Sequence, residues 1–560
     1  MNSTKDKFKN ERIEYKLLTI AIALAALYFV YRIINNVVIG FGYPREILEP
    51  ANVSLTNLFL QGKSPYTFSA LDWEIPGINY DYPFLTSLLV AAIVKITGCS
   101  VLAGHYGLSI FCILATGLIG YRTINQYSET TVAPTLGALL FMFCHWRFGY
   151  VSAAPDDFGL LVFLLTLNLA VNPKIKNKPL CCAIGVTISF YIKQYFVFSA
   201  LGIFVYMLLY SKKEALKFFL YTLGLNVAAG VVVTIFWPLY WTYTILFLYS
   251  GCFTGVGFGL SYLFEQMKYL AAIFAALFAI LIVGLVMAIR KLKANNEKIR
   301  NIKVKENDAM ALFVVMIPVM LAPLVFFGRN DGAFVSYFLQ LWMPSIVVVT
   351  LTVFERMLPD DTKEDVINST AESKSGIKEF ILTRQKWIYF AMYVCIVLFT
   401  VYFGFGKLPL HDMTEEELND WKRAYEIVDM CKEMGPVYYG RTLAYKALND
   451  GSGICVCGHD GEATEDTLKL LEQSNILMSV FPYASKIIQK NKEYLEKVQY
   501  GAVMHEYPLI SYEENGYCMI FMDDFVEYIN YSLYDKLELS VGNMKYETVF
   551  FVPDDSALLQ

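Results

Sequence analysis

Charge is what this sequence has least of. Only 17% of its 560 residues are Asp, Glu, Lys or Arg, against 56% hydrophobic and 16% aromatic, a balance far from that of a soluble domain. Its five histidines and eleven cysteines form no spaced metal-binding pattern, which excludes a structural zinc site. Cys112, Cys144, Cys181, Cys182 and Cys395 lie within apolar runs as small core residues. A small-residue cleavage site is missing after the apolar run that opens at Leu17, so the first helix is expected to stay as an anchor. A strand-to-helix glycine turn for phosphates is lacking too. The glycine-rich run Gly251 to Gly259 falls in a loop between apolar runs and reads as a lid over the site, not as a nucleotide-sugar cradle.

What is present is a series of apolar runs, at about 17–38, 101–121, 130–147, 156–172, 179–192, 195–210, 218–237, 267–289, 309–328, 334–354 and 387–406. They predict an α-helical polytopic membrane protein of about eleven transmembrane helices. One further run, Pro83 to Thr97, has 15 residues. At ~1.5 Å per residue it falls short of a ~30 Å hydrocarbon core, so it is expected to lie on the membrane surface. With that placement, the loops sharing a side with the N-terminus hold 25 Lys and Arg, against 8 on the other side before the last helix exits. The positive-inside rule then makes residues 1–16 a cytoplasmic tail, 17–406 the transmembrane domain, and the loop 36–98 external. An odd number of spans also makes 407–560 external, in the cell membrane of a multi-pass protein.

The stretch 407–560 reads as a small extracytoplasmic α/β domain. Thr414 to Glu417 is a capping-box start for a helix to about Met434. Strands are expected at 453–457 and 547–552, and helices at 465–473 and 484–497. Cys431, Cys455, Cys457 and Cys518 are available there for a disulfide if the domain faces an oxidising space. Pro359 to Lys378, polar and without apolar periodicity, reads as a cytoplasmic linker.

The middles of the spans carry almost no ionisable residues, unlike a transporter. The ionisable groups gather instead at external helix ends: Glu46 and Glu49 after the first helix, Asp156 and Asp157 opening the fourth, Lys193 between the fifth and sixth, Arg329 and Asp331 between the ninth and tenth. Lys193 follows an apolar run too short to cross unaided, which recesses the turn Tyr191 to Tyr195 below the outer headgroups. A recessed ammonium beside tyrosines and Gln194 suits a lipid phosphate. A lysine snorkelling to the interface is the plain alternative. For Asp156 and Asp157 the plain reading is favourable charge and capping at a helix N-terminus. For Glu46 and Glu49 it is solvated loop acids, and for Arg329 and Asp331 a polar turn.

Four features resemble the GT-C superfamily of membrane glycosyltransferases over roughly residues 15–350. They are an acid, a helical stretch and Gly-Lys-Ser-Pro-Tyr (Glu49 to Tyr66); Tyr82-Pro83-Phe84-Leu85 opening a surface helix; Pro155-Asp156 opening a span; and Lys193-Gln194-Tyr195 in an external turn. Phe84 stands where a second proline is common, and glutamate where many members have aspartate. The resemblance implies a polyprenyl-phosphate sugar donor, a glycan, lipid or protein acceptor, the bilayer and no nucleic acid as partners, and inverting displacement at the anomeric carbon. Glu49 is then the general base, with Glu46 beside it. Lys193, with Gln194 and Arg329, holds the donor phosphate. Asp156 orients hydroxyls or holds a divalent cation; no cofactor is otherwise expected. Tyr66, Tyr82, Asp157, Asp331 and Tyr337 line the substrate. Two other classes compete: a flippase for a lipid-linked sugar, and a non-catalytic component of polysaccharide assembly.

Overall fold

The computed structural model describes residues 7–9, 11–43, 49–72, 82–147, 149–247, 259–294, 304–329, 335–357 and 375–406, with parts of 415–429 and 479–489, and 437–438, 502–508, 534–541 and 546–553. A helix stands at every one of the eleven apolar runs: α1 Ile13–Ile39, α4 Val101–Asn125, α5 Val132–Phe143, α6 Asp156–Val171, α7 Lys178–Ile192, α8 Ser199–Tyr210, α9 Lys212–Phe236, α10 Leu260–Ala294, α11 Ala309–Phe327, the pair α12 Val335–Leu341 and α13 Met343–Met357, and α14 Ser375–Gly406. Two more, α2 Glu49–Leu60 and α3 Leu85–Thr97, lie in the loop 36–98. By length and composition, four helices among the described residues are able to cross a membrane, or five if the bent pair α12 and α13 is one span. This is a polytopic helical membrane protein.

Four expected boundaries are corrected. The run 130–147 is helical only to Phe143, and its last residues form an irregular, largely buried connection to α6. The run 195–210 opens as a 3-10 turn, Gln194–Phe198, before α8. The run 334–354 is not one helix: α12 and α13 meet at an angle of 51°. Pro344 has no N–H to give to the carbonyl of Gln340, four residues before it, and its ring crowds that turn, so the helix breaks at Trp342. The last helix begins at Ser375, inside the polar stretch read as a linker.

Local chemistry sets several other ends. The Ser100 hydroxyl caps α4 by accepting from Ala103 N at 3.2 Å, and the Asp308 carboxylate caps α11 by accepting from Ala311 N at 3.1 Å. Gly98 closes α3 in the left-handed region at φ 72°. That helix is 13 residues long and buries Thr86, Ser87, Val90 and Ala91 along one face, while Ile96 is 83% exposed. It has the two-sided character expected of an interfacial helix. The core is continuous through α1, α4, α5, α6, α11 and α13. One close crossing in it is α4 on α5, where a Cβ at Gly120 would come within 2.5 Å of the Phe141 ring.

In the C-terminal region, a four-stranded sheet runs in the order β1 (Val437–Tyr438), β2 (Ala502–Pro508), β4 (Tyr546–Pro553), β3 (Tyr534–Val541). The first pair is parallel and the others antiparallel. The expected strand 547–552 is β4. Residues 484–487 are helical, as are the described positions from Glu415 to Asp429. The expected elements 453–457 and 465–473, together with Cys431, Cys455, Cys457 and Cys518, lie outside the described residues. Tyr425 donates its hydroxyl to Gly42 O at 3.1 Å and stacks on Tyr43, and Tyr483 packs edge-on against Phe68 at 4.7 Å. The C-terminal residues therefore sit on the same face as the loop 36–98.

Candidate functional site

The irregular connection 144–155 between α5 and α6 is the site's foundation. Buried backbone that is neither helix nor strand needs partners for its N–H groups. One comes from α2: Glu49, its first residue, is fully buried, and its Oε1 accepts from Ala153 N at 3.0 Å. The Tyr106 hydroxyl, from α4, approaches Glu49 Oε2 at 3.4 Å. Glu49 is thus no solvated loop acid; an irregular buried strand of chain has drawn it inside.

Three residues beyond Ala153, α6 opens with Pro155 at its N-cap and makes no side-chain cap. Both acids that follow are spent on other partners. Asp156 Oδ2 accepts from Lys193 Nζ at 2.6 Å and from Arg147 Nη1 at 2.9 Å, and its Oδ1 accepts from the Tyr195 hydroxyl at 3.0 Å. Asp157 pairs with His145 Nδ1 at 2.7 Å and accepts from Ser109 Oγ. Tyr106 and Ser109 lie one turn apart on α4, so one helix face touches both Glu49 and Asp157.

Lys193 reaches this position because α7 ends at Ile192, after 15 residues, and Lys193 itself is extended. Its ammonium is 2% exposed and lies 4.8 Å from the Tyr82 ring, 5.0 Å from Tyr195 and 5.5 Å from Tyr337. Three ring faces and one carboxylate replace its water. Arg147 Nη2 also donates to the Tyr82 hydroxyl at 3.3 Å. Burial holds the Tyr82 phenol well above its ordinary pKa, so it stays neutral. Lys193 and Arg147 both bind Asp156 Oδ2, so two buried cations meet at one carboxylate oxygen.

The other expected residues fall as follows. Tyr66 is fully buried and donates to Tyr82 O at 3.0 Å, with its ring among Tyr240, Tyr243 and Trp237; it supports Tyr82. Gln194 turns away and donates its amide to Thr244 O at 2.8 Å. Tyr337 lies with its ring 4.8 Å from that of Tyr195, at the Lys193 cage. Arg329 follows α11 and is half-buried, and its carbonyl accepts from Gly259 N at 2.8 Å. Glu46, Asp331 and the run 251–258 lie outside the described residues. Among the described residues no group of three His, Cys, Asp or Glu side chains is placed to hold a metal ion.

Sequence reasoning counted Arg147 only as an external basic residue and passed over His145. The sole signal for either was a histidine and an arginine at the end of an apolar run, nine to twelve residues before the paired acids. No protein-family model matches the chain, and no curated protein matches it in sequence. Solved structures do. The chain is similar to ArnT from Cupriavidus metallidurans bound to undecaprenyl phosphate, with TM-score 0.46 and 10% identity over 96% of this chain and 98% of that one. It is also similar to the apo oligosaccharyltransferase of Archaeoglobus fulgidus, with TM-score 0.43 and 11% identity over 88% of this chain and 69% of that one. A third likeness is to AglB of the same organism in complex with an inhibitory peptide and a dolichol-phosphate, with TM-score 0.41 and 10% identity over 97% and 75%. What this chain does has to be argued from its own residues.

Proposed function

We propose that this chain is an inverting glycosyltransferase that moves a sugar from a polyprenyl-phosphate carrier to an acceptor hydroxyl on the outer face of the membrane. The observation that carries this reading is the trio of Lys193, Arg147 and Asp156. Buried charge at the ends of membrane helices is expensive, and two cations gathered at one buried spot walled by tyrosine rings suit an anion that arrives on a lipid.

The acceptor hydroxyl attacks the anomeric carbon on the side opposite the phosphate. A carbon–oxygen bond forms as the bond to the phosphate oxygen breaks, the electron pair leaves with the phosphate, and the configuration inverts. Glu49 takes the hydroxyl proton at Oε2, the oxygen whose tyrosine contact is long at 3.4 Å. Lys193 and Arg147 receive the charge of the departing phosphate, with Arg329 as a further cation. Asp156 holds the two cations and Tyr195 in place between turnovers. Tyr82 and Tyr337 wall the phosphate site, Glu46 assists the base and Asp331 the substrate, while Asp157, held by His145 and Ser109, and Gln194, held by Thr244 O, keep the chain on either side of the trio in place.

The topology that goes with this reading has eleven crossings and a cytoplasmic N-terminus. The C-terminal α/β domain, 407–560, then lies outside, beside the loop 36–98. The excess of Lys and Arg on the N-terminal side supports it, as do the contacts of Tyr425 and Tyr483 with that loop.

The test is binding of undecaprenyl phosphate and of uncharged undecaprenol to purified protein. Wild type should prefer the phosphate at least about tenfold, the worth of one charge-assisted contact, and Lys193→Gln should lose most of that preference. Equal binding of the two lipids by wild type would refute the phosphate site.

A further inference from the structure

Two polar side chains beside the cation cluster are fully buried and each keeps a hydrogen-bonding atom with no partner. They are Ser336 and Gln340, both 0% exposed. They stand four residues apart in α12 and so on one face of it. Among the described residues the Ser336 hydroxyl has no partner, and neither does one of the two polar atoms of the Gln340 amide.

The identity of that amide atom follows from proton counting. The Tyr195 hydroxyl touches the other amide atom of Gln340 and also lies 3.0 Å from Asp156 Oδ1. A phenol has one proton to give. The carboxylate takes it, because a charge-assisted bond is the stronger of the two. Tyr195 must then accept from Gln340, which requires the NH2 group to face the phenol; a half-turn of the amide provides this at no steric cost. The atom left buried without a partner is the Gln340 carbonyl oxygen, an acceptor. Beside it on the helix is a hydroxyl that is able to donate or accept.

Each such orphan costs the fold ~1–3 kcal/mol, a cost that Leu or Ala in the same places would not carry. Gln340 lies three hydrogen bonds from Lys193, through Tyr195 and Asp156, so these two side chains adjoin the group assigned to the carrier phosphate. We infer that Ser336 and Gln340 read the hydroxyls of the donor sugar: the Gln340 carbonyl accepts from one sugar hydroxyl, and the Ser336 hydroxyl pairs with a second. This rests on the transferase reading above, and names the part of its site that distinguishes a free polyol sugar from one deoxygenated or capped at those positions.

The experiment compares dissociation constants for undecaprenyl phosphate and for undecaprenyl-phosphate mannose, glucose and arabinose, in wild type, Ser336→Ala and Gln340→Leu. Wild type should bind one sugar-bearing lipid more tightly than the bare phosphate. Each variant should lose roughly three- to tenfold on that lipid, the worth of one neutral hydrogen bond, and keep its affinity for undecaprenyl phosphate. Ser336→Ala should also melt at or above the wild-type temperature, since it removes an unpaired group. A sugar preference that survives in both variants would overturn the proposal, as would an equal loss for bare and sugar-bearing lipid, which would make the pair mere supports of Tyr195. If Gln340→Leu does not fold, Ser336→Ala alone decides. Wild type that binds no lipid at all would instead remove the transferase reading itself, and this inference with it.

Discussion

Replacing Asp156 by Asn keeps the shape of the side chain and removes the one negative charge between two buried cations. In the native protein its oxygens take Lys193 at 2.6 Å, Arg147 at 2.9 Å and Tyr195 at 3.0 Å. The amide has a single acceptor oxygen for these three donors, and its NH2 would face at least one of them. Lys193 and Arg147, 2% and 4% exposed, lose the carboxylate that both of them bind. Breaking a buried pair in this way costs about 3–5 kcal/mol. In a chain of this size that corresponds to a fall of roughly 3–4 °C in apparent melting temperature. The variant also has a prescribed remedy. Its cluster carries one more positive charge than the native one, so undecaprenyl phosphate should bind it more tightly, and every tenfold gain in affinity adds about 1.4 kcal/mol of stabilisation at saturating lipid. Thermal unfolding in detergent, with and without undecaprenyl phosphate, measures both. An Asp156→Asn protein that melts with wild type, or that the lipid stabilises no more than wild type, would refute the account of the trio.

Two further predictions concern the opposite end of the bundle. Glu355, on α13, accepts from the N–H groups of Glu129 at 2.9 Å and Thr130 at 3.2 Å and from the hydroxyls of Thr130 and Tyr393, so Glu355→Gln should lower stability by about 2 kcal/mol and leave the release of undecaprenyl phosphate from undecaprenyl-phosphate sugars, per folded molecule, unchanged. Glu11 accepts from Thr131 N at 2.9 Å and from its hydroxyl, yet burial pushes its carboxyl above the ordinary value of 4.5. A raised acid contributes most below that ordinary value and loses its contribution as pH rises through the raised one. Glu11→Gln should therefore lose less stability than wild type as the pH is raised from 4.5 to 7 in parallel melting curves; a steeper loss would contradict the burial.

The helices were legible because most apolar runs are long and the polar stretches between them are rich in turn residues. The withdrawal of Lys193 from water was legible too, from the shortness of the run before it. Partnerships were not. Asp156 and Asp157 are adjacent in sequence, yet one is claimed by Lys193 and Arg147 and the other by His145 and Ser109, and nothing in a local pattern assigns them. Arg147 closes an apolar run and looks like a residue leaving the membrane; only the irregular fold of 144–155 turns it inward. Ser336 and Gln340 sit in what reads as an ordinary span. The break at Trp342 was announced by Pro344, but a proline near the start of a helix is also a common N-terminal residue, so the signal pointed both ways.

The central claim is that Glu49 takes the proton as a sugar leaves a lipid phosphate. Its most direct test is the release of undecaprenyl phosphate from undecaprenyl-phosphate sugars by purified wild type and Glu49→Gln, with carrier binding measured alongside. The glutamine keeps an oxygen for Ala153 N, so fold and carrier binding should persist while release falls by roughly 10²- to 10⁴-fold, the range for losing a general base. Release at the wild-type rate by Glu49→Gln would contradict the assignment, and sugar-lipid moved intact across a vesicle membrane by wild type would make the protein a transporter.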